Sequence, residues 1–193
     1  MKIQGRRSGR PLSPEMLADP RLGALATWGA KLAASGLSPE RSGNLSCRTT
    51  KGFLITATGV PLGSIRPEDW VEVITIEHPD EETIVVESNG TLEPSRDAAV
   101  HGALYAGRPD ADTIFHLHVG SLEELRDQLD VPSTEHYFPA GTTESVAEIH
   151  RFLDAHPDAR YFILVDHGIV AWGTAVNDVG AEVTEKQRAL EEA

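Results

Sequence analysis

Cysteine is nearly missing from this 193-residue chain, which has one, Cys47. A lone thiol makes no internal disulfide. It excludes both a disulfide-stapled scaffold and a cysteine-based structural zinc cluster, so a reducing cytoplasm is the expected setting. Cationic charge is scarce as well. With 17 Lys and Arg against 30 Asp and Glu, the formal net charge is -13. That field repels phosphodiester backbones and anionic lipid, so neither nucleic acid nor a membrane surface is an expected partner. An anionic metabolite must therefore be met by local donors. No apolar run reaches the roughly 20 residues of a membrane helix. The opening Met-Lys-Ile-Gln-Gly-Arg-Arg lacks the apolar stretch of a signal peptide. Internal repeats and low-complexity tracts are missing too.

What is present describes an ordinary globular chain. The apolar fraction of 40% supplies a sizeable core, and the length fits a single domain over residues 1–193. Residues 1–12, rich in Gly, Arg, Ser and Pro, read as a mobile arm with no part in the core. Ser13-Pro14-Glu15 is a helix start, with Ser as cap and Pro at the first position. Leu22, Leu25, Trp28 and Leu32 then recur at helical spacing, and Gly36 is a stop.

Extended segments follow at residues 44–48, 53–56, 70–76 and 83–87, joined by short turns at Lys51-Gly52 and residues 78–82. Such turns favour antiparallel pairing. Residues 95–106, 122–129 and 144–153 read as helices, residues 113–118, 161–165 and 169–172 as strands, and the chain closes on an acidic helix from about Val179. A mainly antiparallel sheet covered by helices is the expected architecture.

The most informative motif is His116-Leu117-His118, followed by Asp166-His167-Gly168. Successive strand residues face opposite ways, so His116 and His118 share a face and can grip one ion. His167 ends the apolar run Tyr161-Phe-Ile-Leu-Val165 beside a glycine that permits a turn, and is the third ligand candidate. Three imidazoles without cysteine describe a catalytic zinc site, which keeps one position open for water or substrate.

Gly43-Asn44-Leu45-Ser46 and Thr56-Ala57-Thr58-Gly59 are donor-rich turns, and Pro94-Ser95-Arg96-Asp97 opens a helix. Together they offer a phosphate-sized anion a site without net positive charge. Each also has a plainer reading: hairpin chemistry for the turns, an N-cap for Ser95, and a first-turn acid for Asp97. His101 lies one turn after Asp97 on the same helix face, either as a core residue or as a group orienting the acid. His78, His150 and His156 sit in polar surroundings and read as surface residues.

In this order, Gly43-Asn44-x-Ser46, Ile55-Thr56-Ala57-Thr58-Gly59, Pro94-Ser95-Arg96-Asp97, His101…Tyr105…Arg108-Pro109, His116-x-His118 and His167-Gly168…Trp172-Gly173 resemble the class II aldolase/adducin family. The resemblance runs from about Trp28 to the C-terminus. It implies a three-layer α/β/α sandwich with a mainly antiparallel central sheet, assembled as a homotetramer. It implies zinc on His116, His118 and His167, and a substrate phosphate among Asn44, Thr58, Gly59 and Ser95.

The family's enzymes include zinc-dependent aldolases of fuculose or rhamnulose 1-phosphate, ribulose-phosphate 4-epimerases, methylthioribulose-phosphate dehydratases and sugar-acid decarboxylases. Adducin-type members keep the fold for protein assembly. Zinc polarises the carbonyl of an α-hydroxy ketone and stabilises the enediolate these reactions share. A carboxylate then serves as acid and base. Retro-aldol cleavage of a small phosphorylated sugar is the expected reaction.

Three departures from the family pattern stand out. Asp97 replaces the glutamate of the aldolases' Pro-Ser-Ser-Glu motif, as in the epimerase branch, where the aspartate approaches the metal as a ligand. Arg96 replaces the second serine, and either clamps an anion in bidentate fashion or points to solvent. The stretch from His118 to Gly141 is short, and no tyrosine follows Tyr161 to match the family's tail tyrosine. Tyr137 then has two readings, as the replacement proton donor or as a surface aromatic.

Overall fold

The computed structural model describes residues 2–120 and 122–192. In chain order its strands are β1 (Lys2–Arg7), β2 (Asn44–Arg48), β3 (Phe53–Thr56), β4 (Trp70–Asp80), β5 (Thr83–Asn89), β6 (Thr113–Leu117), β7 (Tyr161–Leu164) and β8 (Gly168–Gly173). The helices are α1 (Pro14–Leu17), α2 (Pro20–Ala34), α3 (Ala98–Gly107), α4 (Leu122–Leu129), α5 (Thr143–Ala155) and α6 (Val176–Glu191). One eight-stranded sheet runs in the order β1-β5-β4-β3-β2-β6-β8-β7. Every neighbouring pair is antiparallel except β1 with β5.

Strand alternation divides the core between two helical layers. On β6, Phe115 and Leu117 pack with α2 and α6, while Ile114 faces the opposite layer with α3 and α5. On β2, Leu45 and Cys47 join the α2 side. The result is the expected three-layer α/β/α sandwich with a mostly antiparallel sheet. Burial pushes the Cys47 thiol up to about 12, which leaves it protonated and inert.

The expected mobile arm is overturned for residues 2–7. They form β1, which adds in parallel to β5 from Lys2↔Thr83 to Arg7↔Ser88. Leu12 is buried in the α2-side core. An edge strand is held mainly by main-chain hydrogen bonds to its neighbour, which the Gly- and Arg-rich composition neither favours nor forbids.

β4 continues through His78 and Pro79 to Asp80 in place of the expected turn at residues 78–82. The ladder is irregular between Glu77 and Asp80, and a bulge is where a strand tolerates a proline without an N–H. α3 starts at Ala98, one turn later than expected. Among the described residues, no helix is long and apolar enough to cross a membrane.

Candidate active site

The alternation that sends Phe115 and Leu117 into the α2 layer turns His116 toward α3, and His118 follows on the same side just past the strand end. β8 pairs with β6 so that Leu117 lies opposite Ile169, which places the β7–β8 turn beside His118. Asp166 has φ 55° in that turn. A side chain at Gly168 would put its Cβ 2.3 Å from the Leu117 carbonyl oxygen, so only glycine lets the turn approach this closely. The three ring centroids are 4.7 to 5.0 Å apart.

The ring nitrogens converge. His116 Nδ1 donates to the Ile169 carbonyl at 2.9 Å, which leaves its Nε2 bare. That Nε2 lies 3.2 Å from His118 Nε2, and one nitrogen from each of the three rings falls within 4.8 Å of the others. Zinc–nitrogen bonds of ~2.0–2.1 Å at a tetrahedral angle separate two ligand nitrogens by roughly 3.3–3.4 Å. The donor set fits a divalent ion. Burial pushes the pKa of His116, His118 and His167 below the ordinary value, so the rings are neutral, the state a metal requires.

Asp97 completes one side of the cluster. The β2–β6 register places Asn44 opposite His116, and Gly43, with φ 77°, lets β2 pass the His116 carbonyl, which a Cβ would meet at 2.7 Å. The Asn44 amide donates to Asp97 Oδ2 at 2.8 Å, and the same oxygen lies 3.8 Å from His116 Nε2. Asp97 immediately precedes α3, yet its carboxylate makes no capping bond. Burial alone would raise its pKa, but the attraction to any proton carried by His116, His167 or His101, together with the Asn44 amide, outweighs it and sets the carboxyl below the ordinary value.

Close to this pair along α3 lies a buried file that joins His101 to Ser46 and Tyr105. Ser46 Oγ is 2.7 Å from His101 Nδ1 and 2.8 Å from the Tyr105 hydroxyl. Burial, moderated by Asp97, lowers the His101 pKa to about 3 and raises that of Tyr105, so the ring is neutral and the phenol protonated. The file can run either way, Tyr105 to Ser46 to His101 Nδ1 or the reverse, and each order leaves one terminal hydrogen, on His101 Nε2 or on the Tyr105 hydroxyl, without an acceptor among the described residues. His101 Nε2 has no protein partner, and the fully buried ring sits in this polar file, one turn after Asp97. The spacing of His101 and Tyr105 along α3 was visible; their meeting with Ser46 needed the β2–α3 packing.

The expected anion-binding residues divide. Thr58, Gly59, Ser95 and Arg96 line one cleft of about 800 Å³ with Arg41. Asn44 is buried beside Asp97 instead. Ser95 Oγ accepts from the Asp97 N–H at 3.3 Å, and Arg96 is exposed. A second hollow is lined by Asp97, Tyr137 and His167, and Ala140 borders both. The Tyr137 ring is half exposed and stands edge-on to His167 at 6.2 Å. His78, His150 and His156 are exposed, away from the cluster.

The family model for the class II aldolase and adducin N-terminal domain matches residues 23–122, a span that holds Asn44, Asp97, His116 and His118. A 5-methylthioribulose-1-phosphate/5-deoxyribulose-1-phosphate aldolase of Escherichia coli is 25% identical over 156 residues, 73% of this chain and 68% of that protein. A methylthioribulose-1-phosphate dehydratase of Geobacillus kaustophilus is 28% identical over 178 residues, covering 77% and 79%. The L-fuculose-1-phosphate aldolase structure from Thermus thermophilus superposes with a TM-score of 0.66 at 24% identity, covering 88% of this chain and 90% of that one. With the family model spanning more than half of its length, the chain belongs to the class II aldolase and adducin family.

Proposed function

We propose that the protein is a divalent-metal-dependent lyase, with zinc as the metal, that cleaves a small phosphorylated ketose by a retro-aldol reaction within a single domain over residues 1–193. The observation that supports this most is the convergence of three neutral imidazoles beside a carboxylate held by Asn44, 3.8 Å from His116 Nε2. His116, His118 and His167 would hold the ion, which would supply Lewis-acid polarisation of the substrate carbonyl. Asp97, ionised and fixed by Asn44, takes the substrate hydroxyl proton as the carbon–carbon bond breaks. Tyr137, across the hollow from Asp97, returns a proton to the carbon released. Thr58, Gly59, Ser95 and Arg96 bind the phosphate through N–H and hydroxyl donors and the Arg96 guanidinium.

Both curated relatives are named for methylthioribulose 1-phosphate although their reactions differ, and the proposed substrate class is a ketopentose 1-phosphate with an apolar group at C5. Dehydration of that substrate is the second reading, favoured by the greater share of this chain that the dehydratase relative covers. The protein should be incubated with methylthioribulose, deoxyribulose, fuculose and rhamnulose phosphates, with elemental analysis of the same preparation. Release of an aldehyde and dihydroxyacetone phosphate supports cleavage; water loss with the carbon chain intact supports the second reading. His118→Ala should lose most of the metal while its circular dichroism is unchanged, because an open catalytic site contributes little to folding. Metal-free protein without turnover on any of these substrates overturns both readings in favour of an adducin-like assembly role.

A further inference from the structure

Tyr137 lies between Pro132 and Gly141 in a segment that has neither helix nor strand, so its place over His167 must be set by something else. Both ends are tied down. At the first, Thr134 N–H donates to the Ile163 carbonyl at 2.9 Å, and Thr134 Oγ1 accepts from Val165 N–H at 3.0 Å. At the second, Thr142 and Ser145 cap α5 reciprocally, with N–H to Oγ distances of 2.9 and 3.2 Å.

Between these ties, the strongest contact comes from the side of α5. Glu148 Oε1 accepts the N–H of Glu135 at 2.7 Å and of His136 at 3.1 Å. Its other oxygen pairs with the Arg151 guanidinium one turn along the helix. Glu148 is 4% exposed. Burying a carboxylate is costly unless its partners are charged or numerous, and here they are both. Burial would raise the Glu148 pKa, but Arg151 and the two N–H groups outweigh it and hold the acid ionised. Two successive peptide N–H groups turned inward on one oxygen fix both peptide planes. The next residue, Tyr137, leaves them over the hollow it shares with His167.

We propose that Glu148 is a positioning residue: it holds the segment that carries Tyr137 at the edge of the histidine cluster, and Arg151 keeps its carboxylate aimed. No hydrogen bond or ion pair joins Glu148 to His116, His118, His167 or Asp97, although it lines the hollow they share with Tyr137, and it acts through the main chain of residues 135 and 136. Its catalytic consequence rests on Tyr137 as the proton donor.

The test uses Glu148→Ala, Glu148→Gln and Tyr137→Phe in the full chain. Glutamine keeps an oxygen acceptor and the side-chain volume, so it still tests the proposal if alanine fails to fold. Both Glu148 variants should speed amide exchange at Glu135 and His136, alanine more, and weaken the proton–proton cross-peaks between the Tyr137 and His167 rings. Metal content should be unchanged. Turnover should fall roughly 10–100-fold for alanine with little change in KM, the range for an orienting group. In the Tyr137→Phe background the same Glu148 change should cost almost nothing, because the two act as one unit. Ring cross-peaks and amide protection that persist in both Glu148 variants would overturn the proposal. Normal turnover of Tyr137→Phe would instead remove Tyr137 from the chemistry, while the ring contact still reports on Glu148.

Discussion

Gly168→Ala is the substitution whose cost can be read most directly from the structure. The added methyl would lie 2.3 Å from the Leu117 carbonyl oxygen and 3.1 Å from His116 Cε1. Carbon–oxygen contacts settle at about 3.3 Å or more, so the start of β8 must retreat by roughly 1 Å. It cannot retreat freely, because Gly168 pairs with Leu164 of β7 while Ile169 pairs with Leu117 of β6. Overpacking of this kind costs about 1–3 kcal/mol, and loss of the bond from His116 Nδ1 to Ile169 adds about 1 kcal/mol.

For a chain of this size each kcal/mol moves the melting temperature by about 2–4 °C, so a fall of roughly 4–16 °C is expected. Metal affinity should also drop by about 10–100-fold, because the carbonyl that holds the His116 tautomer has moved. Melting in chelator isolates the first effect, and competition against a chelating dye measures the second. Gly23→Ala is the control: its methyl meets nothing within 4 Å on α2, and it should stabilise by about 0.5–1 kcal/mol. A Gly168→Ala protein that melts with the wild type and binds metal equally well would refute the reasoning.

Asp97→Asn should retain the metal and lose about two to four orders of magnitude of turnover, the range for a positioned proton-transfer group; metal affinity falling in parallel would make Asp97 a ligand instead. His101 gives a pH signature, since its folded pKa of about 3 lies below the ordinary 6.5. Above pH ~6.5 the ring is neutral in both states; below it the unfolded chain takes a proton the folded one refuses, so stability falls toward about pH 3 by up to ~1.4 kcal/mol per pH unit. Denaturant titrations of His101→Leu should show a shallower acid limb, and an unchanged slope would show that the ring titrates freely when folded. Light scattering should give a homotetramer, about four times the 20.9 kDa of one chain; a monomer at micromolar concentration would reject that assembly.

The histidine cluster was legible because its geometry is local. Period two puts His116 and His118 on one face, and a glycine at the end of a buried strand marks the turn that brings in His167. β1 was not legible, because its stabilisation comes from β5, far along the chain, and the basic hexapeptide Lys2–Arg7 carries no trace of that partner. The start of α3 was expected at Ser95, but Ser95 Oγ accepts from the Asp97 N–H, and the helix begins beyond that bond. Asn44 was grouped with the phosphate donors by its turn motif. The register of β2 on β6 sends its amide to Asp97 instead. Tyr137 had two readings because its position depends on Glu148 of α5, a residue that nothing in the tyrosine's own neighbourhood announces.

The placement of the third imidazole has a kinetic consequence. His116 and His118 share one strand end, but His167 reaches them only after β8 has docked along β6. An ion that needs all three would find its site only once that long-range pairing is complete. Its binding energy would then be absent from the barrier to folding and present in the barrier to unfolding. Loaded protein would gain lifetime without gaining speed of assembly, and the empty chain would reach the same fold at the same rate but leave it sooner.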